Sequence, residues 1–321
     1  MEDSLLFYQK EGKSEEKMYK VLFTGLDGAG KTSIIMALQR EFSKIALIEP
    51  TKSAQRTIFK FLGREISEWD LGGQKSYRIS YLKNPGKFFD DTEVAIYVID
   101  ILDDSRTIES LSYLYDVIKK FKQLKIEPPI NIFFHKCDPK IMLSIKKEID
   151  NYIQELKKEI LETVDYKKIH FFNTSIYDPY TIISTMSEIF LELYPKSQLI
   201  QKTIEEFARK LCCDALFIID KNSIILGSSF KDQGSKKVLG GSIAYFLSLN
   251  DIFEDMELQN QEDQIIVKNG ENSFLFKPVT SHKMTLLYYM LVLKKHDPFD
   301  LTNLNENFRA FVNIFNDIIK N

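Results

Sequence analysis

The chain has 321 residues, enough for two compact units, and its 44% hydrophobic and 28% charged residues are the mix of a protein with a sizeable core. A net charge of −3 leaves none of the basic excess that nucleic-acid binding demands, so no nucleic acid is expected as a partner. Three cysteines, Cys137, Cys212 and Cys213, offer neither a bridging pair nor metal spacing. They read as reduced thiols of an intracellular, cytoplasmic protein, Cys212 and Cys213 sitting partly in the core on a helix.

No signal peptide is visible, and no stretch is apolar enough to span a membrane. Glu2 excludes N-myristoylation, and Ile319-Lys320-Asn321 carries no prenylatable cysteine. No direct membrane insertion is therefore expected, and a partner would have to hold the chain at any membrane.

Strands and helices alternate through the first half. Tyr19–Thr24 is a short β-type run ending in glycine, and Thr32–Ser43 has helical spacing through Ile34, Ile35, Leu38 and Phe42. Thr57–Phe61 and Ile66–Asp70 predict a hairpin turning at Leu62-Gly63. Glu93–Ile99 is continuously apolar, as in a strand covered on both faces. Helix Ser105–Leu124, strand Ile130–Phe134, helix Ser144–Leu161, strand Lys168–Asn173 and helix Pro179–Leu193 follow. Such alternation predicts an α/β fold with a mostly parallel sheet.

Pro195-Lys196-Ser197 marks a change. Helices are expected over Gln198–Leu211, Ser235–Leu249 and Leu301–Ile319. Strands are expected over Asp214–Ile219, Ile224–Ser229, Met256–Gln259, Gln264–Lys268, Ser273–Val279 and Thr285–Leu293. Turn signals at Asp220–Ser223 and Lys268–Asn272 add hairpins, so this part predicts a separate α+β unit. The expected division is 1–19 as an N-terminal extension, 20–195 as the first domain and 196–321 as the second.

Four motifs carry chemistry. The first, Gly25-Leu26-Asp27-Gly28-Ala29-Gly30-Lys31-Thr32, fits G-x-x-x-x-G-K-[ST] and stands between a strand and a helix. Its glycines let the backbone curl so that amides from Gly25 to Ser33 converge on phosphate at a helix N-terminus. Lys31 would reach the β- and γ-phosphates, and Thr32 would give its hydroxyl to Mg²⁺. The second is Trp69-Asp70-Leu71-Gly72-Gly73-Gln74. Asp70 would hold Mg²⁺ through water, Gly73 would offer its N–H to the γ-phosphate, and Gln74 would orient an attacking water. Between these, Thr51 in Glu49-Pro50-Thr51 is a candidate Mg²⁺ ligand and γ-phosphate sensor; Thr57 is a rival that fits a strand better.

The third motif, His135-Lys136-Cys137-Asp138, follows an apolar strand. Asp138 can accept from N1–H and the 2-amino group of guanine, donors that adenine lacks on that edge, and Lys136 can lie along the base. The fourth, Thr174-Ser175-Ile176 and the residues after it, could bring amides to guanine O6 or could simply cap a helix. The candidate catalytic residues are therefore Gln74, Lys31 and Thr51. No arginine is marked as an intrinsic finger, so slow hydrolysis that a partner accelerates is expected. Lys75, Arg78, Lys83 and Lys87 read as a solvated basic face, with a partner contact as the sharper alternative. Phe88-Phe89 and the group Tyr8, Tyr113 and Tyr115 read as core or interface.

In this order, GLDGAGKTS, EPT, WDLGGQ, HKCD and TSIYD resemble the Ras-like small GTPases. The first and third look most like the Arf branch, and His135 with TSIYDPY looks like the Rag/Gtr branch. The resemblance implies GTP/GDP and Mg²⁺ as cofactors and a roadblock/longin-type C-terminal domain that pairs two GTPase chains. It also implies docking onto a roadblock-type membrane scaffold, with regulators and effectors, in nutrient signalling to the TOR kinase at lysosomes or vacuoles. An Arf-like trafficking GTPase, a nucleotide-stabilised scaffold with little hydrolysis and an ATP-using P-loop enzyme are the competing readings. Asp138 argues against the last.

Overall fold

The computed structural model describes residues 18–256, 264–279 and 288–320. Its first half contains β1 (Tyr19–Gly25), α1 (Lys31–Leu38), α2 (Phe42–Ile45), β2 (Ala54–Phe61), β3 (Arg64–Leu71), α3 (Lys75–Lys83), α4 (Pro85–Phe88), β4 (Thr92–Asp100), α5 (Thr107–Leu124), β5 (Ile130–His135), α6 (Pro139–Thr163), β6 (Ile169–Thr174) and α7 (Pro179–Glu192). The strands form one six-stranded sheet in the order β2-β3-β1-β4-β5-β6, parallel throughout except that β2 runs against β3. Strands β1 and β5 are buried along their whole length, which explains their unbroken apolar runs.

Register places the chemistry. Gly25 pairs with Val98, Asp100 with His135, and His135 with Thr174, so the motif residues form a row along the carboxyl edge of the sheet. The chain order reverses around β1, and a crevice outside the carboxyl ends at such a point is where α/β sheets take ligands.

The second part runs α8 (Ser197–Leu211), β7 (Ala215–Asp220), β8 (Ile225–Phe230), α9 (Gln233–Asp255), β9 (Ile265–Asn269), β10 (Asn272–Val279), β11 (Tyr288–Lys295) and α10 (Leu301–Lys320). Its five strands form an antiparallel sheet in the order β8-β7-β11-β10-β9. Helices α8 and α10 pack together through the stacked rings of Phe207 and Phe311, 4.3 Å apart. The core does not break at Pro195. One apolar cluster runs from Val21, Phe23 and Ile34 through Met186 and Phe190 on α7 to Ile200, Ile218 and Phe315. Arg40 adds an ion pair to Asp251 on α9 at 2.6 Å. Among the described residues no helix is long and apolar enough to cross a membrane.

Several expectations change. The helix expected over Thr32–Ser43 ends at Leu38, because Arg40 turns left-handed (φ 62°) and a separate turn of helix follows. Helix α6 starts at Pro139 rather than Ser144; Ile145 departs from helical angles (φ −133°, ψ 35°), so the opening segment and the rest meet at a kink. Cys212 is exposed and left-handed just beyond α8, and Cys213 alone of the pair is buried. Arg78 is not on a solvated face but 7% exposed. Phe88, Phe89 and Tyr113 are core. Residues 257–259 of the expected strand Met256–Gln259, the start of Thr285–Leu293, and Tyr8 lie outside the described residues.

Candidate nucleotide site

The loop after β1 wraps the first residue of α1. Lys31 is 5% exposed, and its Nζ donates to the carbonyls of Gly25 (3.2 Å) and Leu26 (2.8 Å). No carboxylate among the described residues lies within ion-pairing distance of it. Burial pushes its ammonium down to about 8, against the attraction of Asp70 and Asp27. A buried cation that lacks a counter-ion is costly and is relieved by an anion. Beside it lies a cavity of about 320 Å³ bounded by Asp27, Gly28, Lys31, Ser33, Thr51 and Gln74. A larger cavity of about 580 Å³ between α7, α8 and β8 has Glu188, Glu192 and Glu205 beside Lys202 and Lys236 in its lining and contains none of the four motifs.

At the cavity floor the Thr32 hydroxyl donates to Asp70 Oδ2 at 2.5 Å and lies 2.8 Å from Thr51 Oγ1. Thr51 in turn donates to Asp70 Oδ2 at 3.3 Å. Asp70 Oδ1 is buried without a partner. Among the described residues no three His, Cys, Asp or Glu side chains gather as a metal cluster. Two hydroxyls and one carboxylate, hard oxygen donors with one acceptor unspent, are the sparse set that suits Mg²⁺, which keeps waters and phosphate oxygens as its other ligands. Thr57 is in β2, paired with Glu68 and away from this corner.

The second loop lies directly on the first. A Cβ on Gly73 would come within 2.1 Å of Asp27 N, so only glycine fits. Gly72 N donates to Ser53 O at 3.0 Å, which ties the Thr51 segment to this loop. Gln74 stands at the N-cap of α3, exposed at the cavity rim.

At the other end, Asp138 stands at the N-cap position of α6 ahead of Pro139, and its Oδ1 accepts from the Ser175 hydroxyl at 2.5 Å. Lys136, left-handed at φ 69°, pairs its ammonium with Asp100. His135 Nδ1 lies 2.9 Å from Thr174 Oγ1. The other edge of its ring fills the space beside Gly30, where a Cβ would meet it at 2.5 Å; Gly30 is itself left-handed at φ 98°. The imidazole therefore joins the base loop to the phosphate loop. Burial and then Lys136 pull its pKa down to about 4, so it is neutral at pH 7. The amides of Ser175, Tyr177 and Asp178 are taken up by Thr181 Oγ1, Ser175 Oγ and Ser175 O. Ile176 packs against the core and Ala29 is buried under the first loop.

The sequence motifs omit three residues that the structure adds. Arg106, in a short turn before α5, donates to Asp27 Oδ1 at 2.8 Å and to Asp27 O at 3.1 Å. Its Nε reaches Glu109 at 3.3 Å, Glu109 pairs with Arg78, and Arg78 Nε donates to Gly73 O at 2.7 Å. No spacing rule points to these contacts.

A family model described as the Gtr1/RagA G protein conserved region matches residues 20–242. The chain belongs to the Gtr1/RagA family. Guanine-nucleotide binding comes with that membership. The match continues past Pro195 into α9, as does the core. This Gtr1/RagA-family chain is also 37% identical over 126 residues to ADP-ribosylation factor-like protein 3 of Chlamydomonas reinhardtii, covering 39% of the chain and 67% of that protein. It is 36% identical over 120 residues to ADP-ribosylation factor-like protein alp41 of Schizosaccharomyces pombe, covering 37% and 61%. Among solved structures, the Arl6 (BBS3) small GTPase of Trypanosoma brucei with bound nucleotide analogue GppNp aligns at 20% identity and a TM-score of 0.40, over 52% of this chain and 91% of that one.

Proposed function

We propose that this Gtr1/RagA-family chain is a molecular switch that hydrolyses GTP slowly on its own and faster with a partner. The observation that carries the reading is Lys31, buried without a counter-ion next to the Thr32–Thr51–Asp70 corner. Lys31 and the amides of the Gly25–Ser33 loop hold the phosphates. Mg²⁺ held by Thr32, Thr51 and Asp70 neutralises phosphate charge when bound. Gly73 offers an N–H to the terminal phosphate, and Gln74 orients water through its carboxamide. Asp138 selects guanine, with Lys136 along the base, and Thr174, Ser175 and His135 brace that loop. Thr51 and Gly73 are tied through Ser53 and Gly72, so loss of the terminal phosphate loosens both segments together.

Residues 196–321 act as a roadblock/longin-type unit that pairs this chain with a second GTPase of its family. The α-β-β-α-β-β-β-α order around an antiparallel sheet supports that. The pair recruits effectors and docks on a roadblock-type scaffold at a lysosomal or vacuolar surface, relaying nutrient status to TOR. The test of the switch is single-turnover GTP hydrolysis with Mg²⁺. Gln74→Leu should slow it by about tenfold or more while nucleotide is still held. Equal rates would remove Gln74 from the mechanism.

A further inference from the structure

Asp27 sets a carboxylate on the wall of a cavity that must hold a polyphosphate. We propose that Arg106 is the specificity-determining residue that cancels this charge and so sets the preference for guanosine triphosphate over diphosphate. The assignment rests on the nucleotide reading above.

Three observations carry it. First, the guanidinium grips both the side chain and the backbone carbonyl of one loop residue, at 2.8 and 3.1 Å, which fixes the carboxylate's direction as well as its charge. Second, Arg106 is the middle of a chain of alternating charge. Asp27, Arg106, Glu109 and Arg78 follow one another in contact, and the chain ends on the carbonyl of Gly73. Arg78 is held in place by burial and by the Tyr113 ring, 5.1 Å away. The two ends meet again directly, because Gly73 lies against Asp27 N. The relay therefore spans the phosphate loop and the loop that carries Gln74. Third, the charges sum to zero: two arginines against two carboxylates. With the relay intact, the Asp27 carboxylate is neutralised by Arg106. Without Arg106, Asp27 opposes Lys31.

The protonation behaviour agrees. Burial works to raise the Asp27 carboxyl, yet the hydrogen bond and charge of Arg106 outweigh it and hold it below the usual range. The Asp27 hydrogen bond raises Arg106, and hydrogen bonding to Arg78 leads the lowering of Glu109. Asp27, Arg106 and Glu109 therefore stay charged at neutral pH. A freed Asp27 carboxylate repels the ligand with more phosphate charge more strongly, which is why the effect falls on the triphosphate.

The test is binding, measured by displacement of a fluorescent guanine nucleotide with Mg²⁺ present, using GDP and a non-hydrolysable GTP analogue. Arg106→Ala should weaken the GTP analogue by about tenfold and GDP by less than about threefold. Arg106→Lys, which keeps the charge and loses the two-point grip, should retain most of the preference. Adding Asp27→Asn to Arg106→Ala should restore the preference, an outcome that a merely structural Arg106 would not give. Added salt should shrink the Arg106→Ala defect, since the Asp27 side chain is 42% exposed. Equal loss of both ligands, or no rescue by Asp27→Asn, would overturn the Arg106 assignment alone. Wild-type protein that holds neither ligand would overturn the nucleotide site and this inference with it.

Discussion

In the parallel sheet, buried polar groups collect at the carboxyl ends of the strands and are left partly unsatisfied: Lys31 has only backbone carbonyls, and Asp70 Oδ1 has nothing. In the antiparallel sheet, the comparable buried groups serve the fold. Asp220 Oδ1 accepts from the amides of Asn222 and Ile224, both at 2.8 Å, and so shapes the β7–β8 turn. Asn250 reaches Tyr289 and Glu254 across the face that α9 covers. At these positions the first sheet leaves groups that a ligand can satisfy, whereas Asp220 and Asn250 find their partners within the fold. Site and scaffold are thus divided between two sheets that share one core.

The sharpest way to break that comparison is to remove one buried charge from each sheet. Lys31→Ala should weaken guanine-nucleotide binding by about 100-fold or more while costing little stability without ligand, since an uncompensated cation leaves the core. Asp220→Ala should do the reverse, lowering the unfolding free energy by about 1–3 kcal/mol through its lost turn bonds, with nucleotide affinity within about twofold. Equilibrium binding and urea unfolding on both variants decide it; Lys31→Ala protein that holds nucleotide as firmly as the wild type would defeat the site assignment. Next in size is Asp138→Asn. It should weaken GTP by about 100-fold and shift preference towards xanthosine triphosphate, because the acceptor pair becomes one acceptor and one donor. Competition between the two nucleotides reads this directly. ATP competing equally with GTP on wild-type protein would instead remove Asp138 from base selection.

The parallel half was largely legible because its signals are local. A strand buried on both faces is a continuous apolar run, and the loop after it carries the phosphate motif within eight residues. The turn at Leu62-Gly63 was also readable, and both residues adopt positive φ there (47° and 79°). What sequence could not supply was contact at long range. Arg106 and Asp27 are 79 residues apart, and nothing in either neighbourhood names the other. Arg78 looked like one of four basic residues on a wet face, and only the packing of α3 against α5 turns it inward. The tie of Lys136 to Asp100 depends on β4 and β5 ending level, which no local pattern announces. The element order changes after Pro195, but the packing shows no gap there. A truncation at residue 197 would therefore strip apolar partners from α7 and unfold part of what it leaves behind, so pairing through residues 196–321 is better tested on the full chain.

Two buried groups, His135 in one sheet and Asp220 in the other, should answer acid and base in opposite senses. His135 is buried with its pKa lowered to about 4 from an ordinary 6.5, chiefly by burial and further by Lys136. The native state therefore binds fewer protons than the unfolded chain between those values. Stability is full above pH 6.5 and is lost as pH falls towards 4, by about 1 kcal/mol between pH 6.5 and 5.5. Asp220 is raised to about 7, burial outweighing its backbone hydrogen bonds. There the native state binds more protons, so stability falls as pH rises from about 4 through 7. His135→Asn should remove the acid-side loss and Asp220→Asn the other, each leaving its counterpart in place, as followed by urea unfolding from pH 4.5 to 7.5. A charged imidazole would need its second N–H at the ring edge that lies against Gly30. An acid-side slope unchanged in His135→Asn would mean that the ring can turn out to solvent, and that the bridge it makes between base loop and phosphate loop opens readily.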